Sequence, residues 1–509
     1  MESTKQQYVV VSFHDRRLIF YTESACQGTE QLPNSMINHL PDELLLMVFD
    51  SCRQIINPYP YDSLWKKKHG WFNLAHVCRK WRAIMFASSS RLQLGISAKP
   101  ENIGDINLKT VLSDPLPIFI NFRNTNKDIT SSALRSMRAA LKRHRGRVGE
   151  IAFEGVSARF NEYFKRFSKV TKCTFPVLES LSMDFRYRDA PNLINTFLQG
   201  PDLSDLPLRR LRLRGVSFAS ISGLLSTSTS LTDLYLLTDF ALSLSSEMLL
   251  VACLQGMSCL RRLSLFFPSR PLESPSQPST PKKDTVVLSN LTRFMYSGPS
   301  VLLNALTAGI SAPSLRDFNI QFLDAIWPPI VHLPRYIDEM ETDYDTVHVA
   351  FLDGNFRLWF LNQLEPIYPC FELGSCPKDF PESIIRVSTA ISTRLSVAEN
   401  LFIVFDKTAA EEYVPWRWFL QQFPSVKILR TEGENNYRIA CSLLQGHEEP
   451  DDDPALLPAL EEIELCNSLA TNEIQRESEL AVFEPFVYAR QQAGRPVNIS
   501  LACCQTCPG

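Results

Sequence analysis

No apolar run in this chain approaches the roughly 18 residues that a membrane-spanning helix needs. Charge of one sign is not in excess: 52 Lys and Arg stand against 55 Asp and Glu, and the formal net charge is −3. The balance as a whole therefore favours neither polyanions nor membrane surfaces. A secretory pattern is missing, because Glu2 comes early and no basic stretch precedes the short apolar run of MESTKQQYVVVSFHDRR. The reading is a soluble chain of the cytoplasm, the nucleus or both.

A cysteine framework for disulfides or zinc is also missing. The 13 cysteines are scattered, and Cys52, Cys78, Cys253 and Cys441 lie in apolar runs, where a thiol acts as a small hydrophobe. Disulfides are not expected without a secretory signal. Cys504 and Cys507 have C-x-x-C spacing, but no second pair completes a zinc site, and Thr506 occupies the position a prenylation box needs for cysteine. No G-x-S-x-G, P-loop or G-x-G-x-x-G occurs. His69 and His76 lie near Cys78, which belongs to the apolar pattern. Asp338, Glu339, Glu341, Asp343 and Asp345 lack the order and the glycine of an EF-hand. No metal, no cofactor and no enzymatic activity is expected.

What is present begins at Met36. The segment MINHLPDELLLMVFDSC is followed, after a loop, by WFNLAHVCRKWRAIMF. Pro41 suits a first helical position, where its missing N–H costs nothing, and Asp42 and Glu43 oppose the positive helix end. Leu44, Val48 and Ile55 form one apolar stripe; Leu45, Phe49, Cys52 and Ile56 form a second; Met47 widens the arc. A surface helix normally needs one stripe for its core. Asn57-Pro58-Tyr59-Pro60 ends the helix, a second is expected near Trp71 with Leu74, Val77 and Cys78, and a third carries Trp81, Ile84 and Met85. About 50 residues make a poor independent core, so the surplus apolar surface implies a covering partner.

The string L-P-x-E-L-L-x-x-V-F followed by V-C-R-K-W-R resembles an F-box, in the form common among large fungal F-box families. The resemblance covers about 50 residues and matches both halves. It implies a small helical motif that binds the Skp adaptor and, through it, the cullin scaffold of a ubiquitin ligase. Carried over by position, the adaptor-facing residues are Leu40, Pro41, Leu44, Val48, Phe49, Val77, Cys78 and Trp81. The loop from Asn57 to Gly70, with Lys66-Lys67-Lys68, is longer than the pattern. A different reading of residues 36–86 is a helix-turn-helix variant that binds nucleic acid. The unit is richer in Lys and Arg than in Asp and Glu, but its third helix is apolar where a reading helix should be polar.

Beyond residue 146 one phrase recurs: apolar, two variable, apolar, one variable, apolar. Examples are Val148/Ile151/Phe153, Leu178/Leu181/Met183, Leu208/Leu211/Leu213, Leu231/Leu234/Leu236 and Leu260/Leu263/Leu265. It continues at Leu291/Phe294/Tyr296, Leu315/Phe318/Ile320 and Tyr344/Val347/Val349, then at Ala398/Leu401/Ile403, Val426/Leu429 and Leu460/Ile463/Leu465. The period, about 23–34 residues, resembles that of leucine-rich repeats. One interval is about double, so a repeat is expected to be degenerate or displaced near residue 370. The Asn or Cys that ladders such turns is mostly missing, apart from Cys466-Asn467.

The expected class is α/β: a short N-terminal helical F-box unit, then an irregular leucine-rich-repeat-like solenoid with a parallel sheet. The expected division is an N-terminal extension over 1–35, with a hairpin from Tyr8 to Tyr21; the helical unit over 36–90; a connecting segment over 91–145; repeats over 146–468; and a cap and tail over 469–509. Pro268 to Asp284 reads as a disordered insert in which Thr280-Pro281 could be a proline-directed phosphorylation site. The acidic run Glu448 to Asp453 and the basic stretch Leu134 to Arg147 read as solvated surface. The implied activity is a non-catalytic receptor that holds a target protein on the repeats.

Overall fold

The structure is a computed structural model. It describes residues 7–13, 16–22, 40–55, 78–88, 96–98, 117–123, 139, 142–154, 175–184, 206–216, 218–238, 244–267, 285–323, 326, 330–338, 344–352, 355–361, 371–373, 380–405, 414–432, 436–448, 456–466 and 473–502. Val77, the expected second helix near Trp71, the insert at 268–284 with Thr280, His69, His76 and the C-x-x-C near the C-terminus lie outside them. So does most of the acidic run after Glu448. The chain divides into two compact units: Met1–Asn121 with Ile129–Gly149, and Phe122–Asp128 with Glu150–Gly509.

The first unit contains β1 (Gln7–Phe13) and β2 (Arg16–Thr22), paired antiparallel from Gln7↔Thr22 to Phe13↔Arg16. It also contains α1 (Asp42–Ile55) and α2 (Arg79–Ala87), and β3 (Ile96–Ala98) parallel to the first residues of β4 (Ile118–Arg123) through Ile96↔Ile118.

The larger unit is mixed α/β around a large, mostly parallel sheet that does not close into a barrel. Its strands are β5 (Val148–Glu154), β6 (Ser180–Asp184), β7 (Arg210–Arg214), β8 (Asp233–Leu237) and β9 (Arg262–Phe266). There follow β10 (Val286–Val287), β11 (Arg293–Gly298), β12 (Ile310–Ser311), β13 (Asp317–Phe322), β14 (Thr346–Leu352), β15 (Asn355–Leu361) and β16 (Phe371–Leu373). The last are β17 (Asn400–Phe405), β18 (Ile428–Glu432), β19 (Glu462–Cys466) and β20 (Asn498–Ala502). Strands β10 and β12 form a separate two-stranded parallel pair. Each recurring apolar phrase of the sequence lands on a strand of the large sheet or runs into one.

Register explains the phrase. Leu211, Leu234, Leu263 and Phe294 are Cα partners across β7, β8, β9 and β11; Leu213, Leu236, Leu265 and Tyr296 form the next row. All are buried. A strand turns alternate side chains to one face, so a shared register lines them into continuous apolar rows. The turns repeat as well: Thr232 N–H donates to Arg209 O, Arg261 N–H to Thr232 O, and Thr292 N–H to Arg261 O, at 2.8–2.9 Å.

The doubled interval has a structural cause. Spatial order runs β13-β16-β15-β14-β17, not β13-β14. Phe371–Leu373 takes the place beside β13 in parallel, while β15 runs antiparallel to both β16 and β14. The inward row still passes through this reversal, by Ile320↔Phe371, Phe371↔Leu358, Leu358↔Val349 and Val349↔Ile403.

Helices bring the covering apolar faces: α3 (Phe218–Thr227), α4 (Leu244–Gln255), α5 (Ser300–Gly309), α6 (Leu333–Asp338), α7 (Phe380–Ala390), α8 (Ser392–Leu395), α9 (Trp416–Gln421), α10 (Asn436–Glu448) and α11 (Glu473–Gln492). Neighbours α3 and α4, and α10 and α11, pack on each other. Arg490 of α11 is buried and donates from Nη2 to Pro458 O and Leu460 O, both at 3.2 Å.

Two positions test this packing. Thr431 is fully buried in the inward row between Ile403 and Leu465, and its Oγ1 has no partner among the described residues. Thr431→Val should stabilise the chain by about 1 kcal/mol in urea unfolding, since an orphaned buried hydroxyl costs energy. A Cβ on Gly298 would lie 2.9 Å from Tyr296 Oη and 3.1 Å from Phe267 Cβ. Gly298→Ala should therefore destabilise by about 1–3 kcal/mol. Unchanged midpoints in both variants would contradict the packing described.

Candidate protein-docking site

Helix α1 begins where the sequence reading puts it. Leu45 N–H donates to Pro41 O at 3.1 Å, and Asp42 and Glu43 occupy the first turn. Lys80 ties the two helices together: Nζ donates to Leu40 O at 2.8 Å and lies 3.4 Å from Asp42 Oδ1. Cys78 is the N-cap of α2; its backbone is extended, and its Sγ accepts from Trp81 N–H at 3.4 Å. Serine or aspartate more often fills that role.

Between the helices lies a small core of Leu45, Phe49, Trp81, Ile84 and Met85, with Leu40, Leu46, Cys78 and Phe86 packed around it. The Phe49 and Trp81 rings meet edge-on, with centroids 5.0 Å apart at 66°. Such a contact adds roughly 0.5–1.5 kcal/mol to the burial itself. This core claims one stripe of α1. The other is left out: Leu44 is 45% exposed, Met47 59% and Val48 43%, and Pro41 is exposed beside them. Positions 44, 47 and 48 share a helix face by i, i+3, i+4 spacing.

The expected adaptor-facing set thus separates. Pro41, Leu44 and Val48 lie together on the open face; Leu40 and Cys78 are half-buried at its margin; Phe49 and Trp81 are inside. Val77 is outside the described residues. Phe49 and Trp81 hold the helices in place, and among the described residues those packed around them belong to the two helices or directly precede them, as Leu40 and Cys78 do. Met47 is the most exposed of the stripe, and Lys80 is the fastening; neither was singled out for the site from sequence. Met47 could have been found, because it sits three residues after Leu44.

The second surface is the face of the large sheet turned away from the apolar rows. It carries cross-strand ion pairs: Arg214 Nε to Asp184 Oδ1 at 3.5 Å, Arg262 to Asp233, Arg357 Nη2 to Glu372 Oε1 at 3.0 Å, and Arg430 to Glu464. Exposed pairs of this kind are worth about 0.2–1 kcal/mol each, so they shape the potential of the face more than its stability. On β14, His348 stacks between Trp359 at 4.8 Å and Phe402 at 4.6 Å, its Cα partners on β15 and β17. Its Nε2 has no hydrogen-bond partner among the described residues. Burial between the rings lowers its pKa from 6.5 to about 4.

The sign of the His348 effect follows. The folded chain holds the imidazole neutral, and the unfolded chain takes up the proton first as pH falls below 6.5. Stability is therefore lost between pH 6.5 and about 4, and the loss is constant below that. In His348→Phe the drop in melting temperature between pH 7.5 and pH 4.5 should be smaller than in wild type. An equal drop in both would place the acid sensitivity elsewhere.

Among the described residues no group of His, Cys, Asp and Glu is placed to hold a metal, and no helix is long and apolar enough to cross a membrane. In comparison with known proteins, no family model matches the chain, and no curated protein matches it significantly.

Proposed function

We propose that this chain is a non-catalytic substrate receptor: an F-box protein that binds a Skp-type adaptor through the open face of α1 and holds a target protein on a leucine-rich-repeat-like solenoid. The observation that carries the reading is the split of α1. One stripe is consumed by Phe49 and Trp81, while Leu44, Met47 and Val48 are exposed and lie outside the small core formed among the described residues. Burying each such side chain fully is worth roughly 1.5–3 kcal/mol, enough for a modest patch to carry a stable contact.

In this reading the adaptor meets Pro41, Leu44, Met47 and Val48, with Leu40 and Cys78 at the rim. Phe49 and Trp81 act one layer below by holding α2 against α1. The parallel strands with common register support a repeat array, since each strand-and-helix segment covers the apolar face of the next. The chain does no bond chemistry itself. It raises the local concentration of a bound target near the ubiquitin-carrying enzyme that the cullin recruits. A place in the cytoplasm or nucleus goes with that role. The nucleic-acid reading has less support, because α2 spends Trp81, Ile84 and Met85 on the core.

The test is capture of the full chain by purified Skp adaptor. Leu44→Asp with Val48→Asp should abolish capture while leaving the circular-dichroism melt unchanged. Trp81→Ala should weaken capture by loosening the unit, because truncating a buried tryptophan costs about 3–5 kcal/mol. Capture of the Asp double variant at wild-type levels would overturn the proposal.

A further inference from the structure

The open face of the large sheet is not electrically uniform. In its cross-strand pairs the arginine is the more exposed partner: side-chain exposure is 35% for Arg214 against 10% for Asp184, and 47% for Arg262 against 23% for Asp233. The carboxylates lie low and the guanidinium groups are what an approaching molecule meets. Arg212, between Arg210 and Arg214 on β7, has no carboxylate partner among the described residues. Its cross-strand neighbours are Ser182 and Tyr235, and its guanidinium carbon sits 4.5 Å from the Tyr235 ring centre.

The sheet edge where β7 to β13 begin adds to this. Arg209, Arg261 and Arg316 are exposed there, separated by Thr232 and Thr292 along the ladder of turn hydrogen bonds, and no carboxylate among the described residues pairs with them. The corresponding edge at β17 to β19 reverses sign, with Glu399, Lys427 and Glu461, and Lys427 bonded to Glu399 at 2.9 Å. Arg357 and Arg430 also stand above their carboxylates in the other half, but among the described residues the run of edge arginines without carboxylate partners lies along β7 to β13.

We propose that the open face of β6 to β13, centred on Arg212, binds an extended peptide segment rich in Asp and Glu, and that this is where a target protein is read. The inference rests on the receptor reading above and names the chemistry of the target. A guanidinium held against a ring by its carbon can still turn its N–H donors to a carboxylate, and Arg pairs with carboxylates in two-pronged fashion. Asp184, Asp233 and Asp317 are interleaved with the arginines on the same face. Separate carboxylates can seat between them, whereas the continuous charge of a nucleic-acid backbone would meet each one.

The experiment uses the full chain and fluorescein-labelled 12-residue peptides of alternating Glu and Ser, with the Gln and Ser counterpart as control, read by anisotropy at 20 mM and 150 mM salt. The Glu peptide should bind and the Gln peptide should not. Arg212→Glu should weaken binding at least 10-fold and Arg212→Gln several-fold, with melting curves unchanged. No binding by wild type, equal binding by wild type and Arg212→Glu, or equal competition by a 12-nucleotide single-stranded DNA would each overturn the proposal. So would salt-sensitive self-association, measured by light scattering, that Arg212→Glu abolishes, since the occupant would then be a second copy. The same variants are passed over the adaptor. Retained adaptor capture by Arg212→Glu separates this proposal from the adaptor contact, and loss of capture only in the α1 variants tests that contact alone.

Discussion

The face that a helix or strand turns to its own core settles what its other face can offer to solvent or to a partner. In α1 the edge-on meeting of Phe49 and Trp81 decides which face that is. In the large sheet the shared register decides it, row by row, from Leu211 and Leu213 through to Ile463 and Leu465. Once the apolar rows are set inward, period-two alternation leaves Arg212, Tyr235, His348 and Arg430 on the opposite side with no further choice.

The two surfaces left over differ in chemistry. That on α1 is aliphatic and small. It suits a partner that offers a complementary apolar groove, and it gains its energy from water removal. That on the sheet is charged and aromatic, and ion pairs along it set orientation more than strength. On the receptor role proposed above, this division has a use: one contact would serve every complex while the other would discriminate.

Much of this was legible in the sequence, and for physical reasons. The phrase Leu-x-x-Leu-x-Leu marks a strand because a buried turn residue and alternate strand residues must all be apolar. The interval around residue 370 was read as an anomaly, but the hairpin was legible and was missed: Asp353-Gly354 separates two alternating apolar runs by two residues, whereas Phe371–Leu373 is too short to carry a phrase. In α1 both stripes could be read, yet not which one faces Trp81, since Leu44 and Leu45 are the same residue type. That choice is made by where α2 packs, and α2 is fastened by Lys80 at Leu40 O, a backbone contact with no sequence signature. The sheet face was legible only as the variable positions between leucines. Its charge polarity appears when Arg209, Arg261 and Arg316 are brought into one line by the turns.

The central claim concerns which side of α1 meets another protein. Hydroxyl-radical footprinting with mass spectrometry, with and without saturating Skp adaptor, reads it directly, because the Met47 thioether is 59% exposed and oxidises readily. The account predicts strong protection of Met47 when the adaptor is present and no change at buried Met85. Oxidation of Met47 at the same rate in both samples would contradict it.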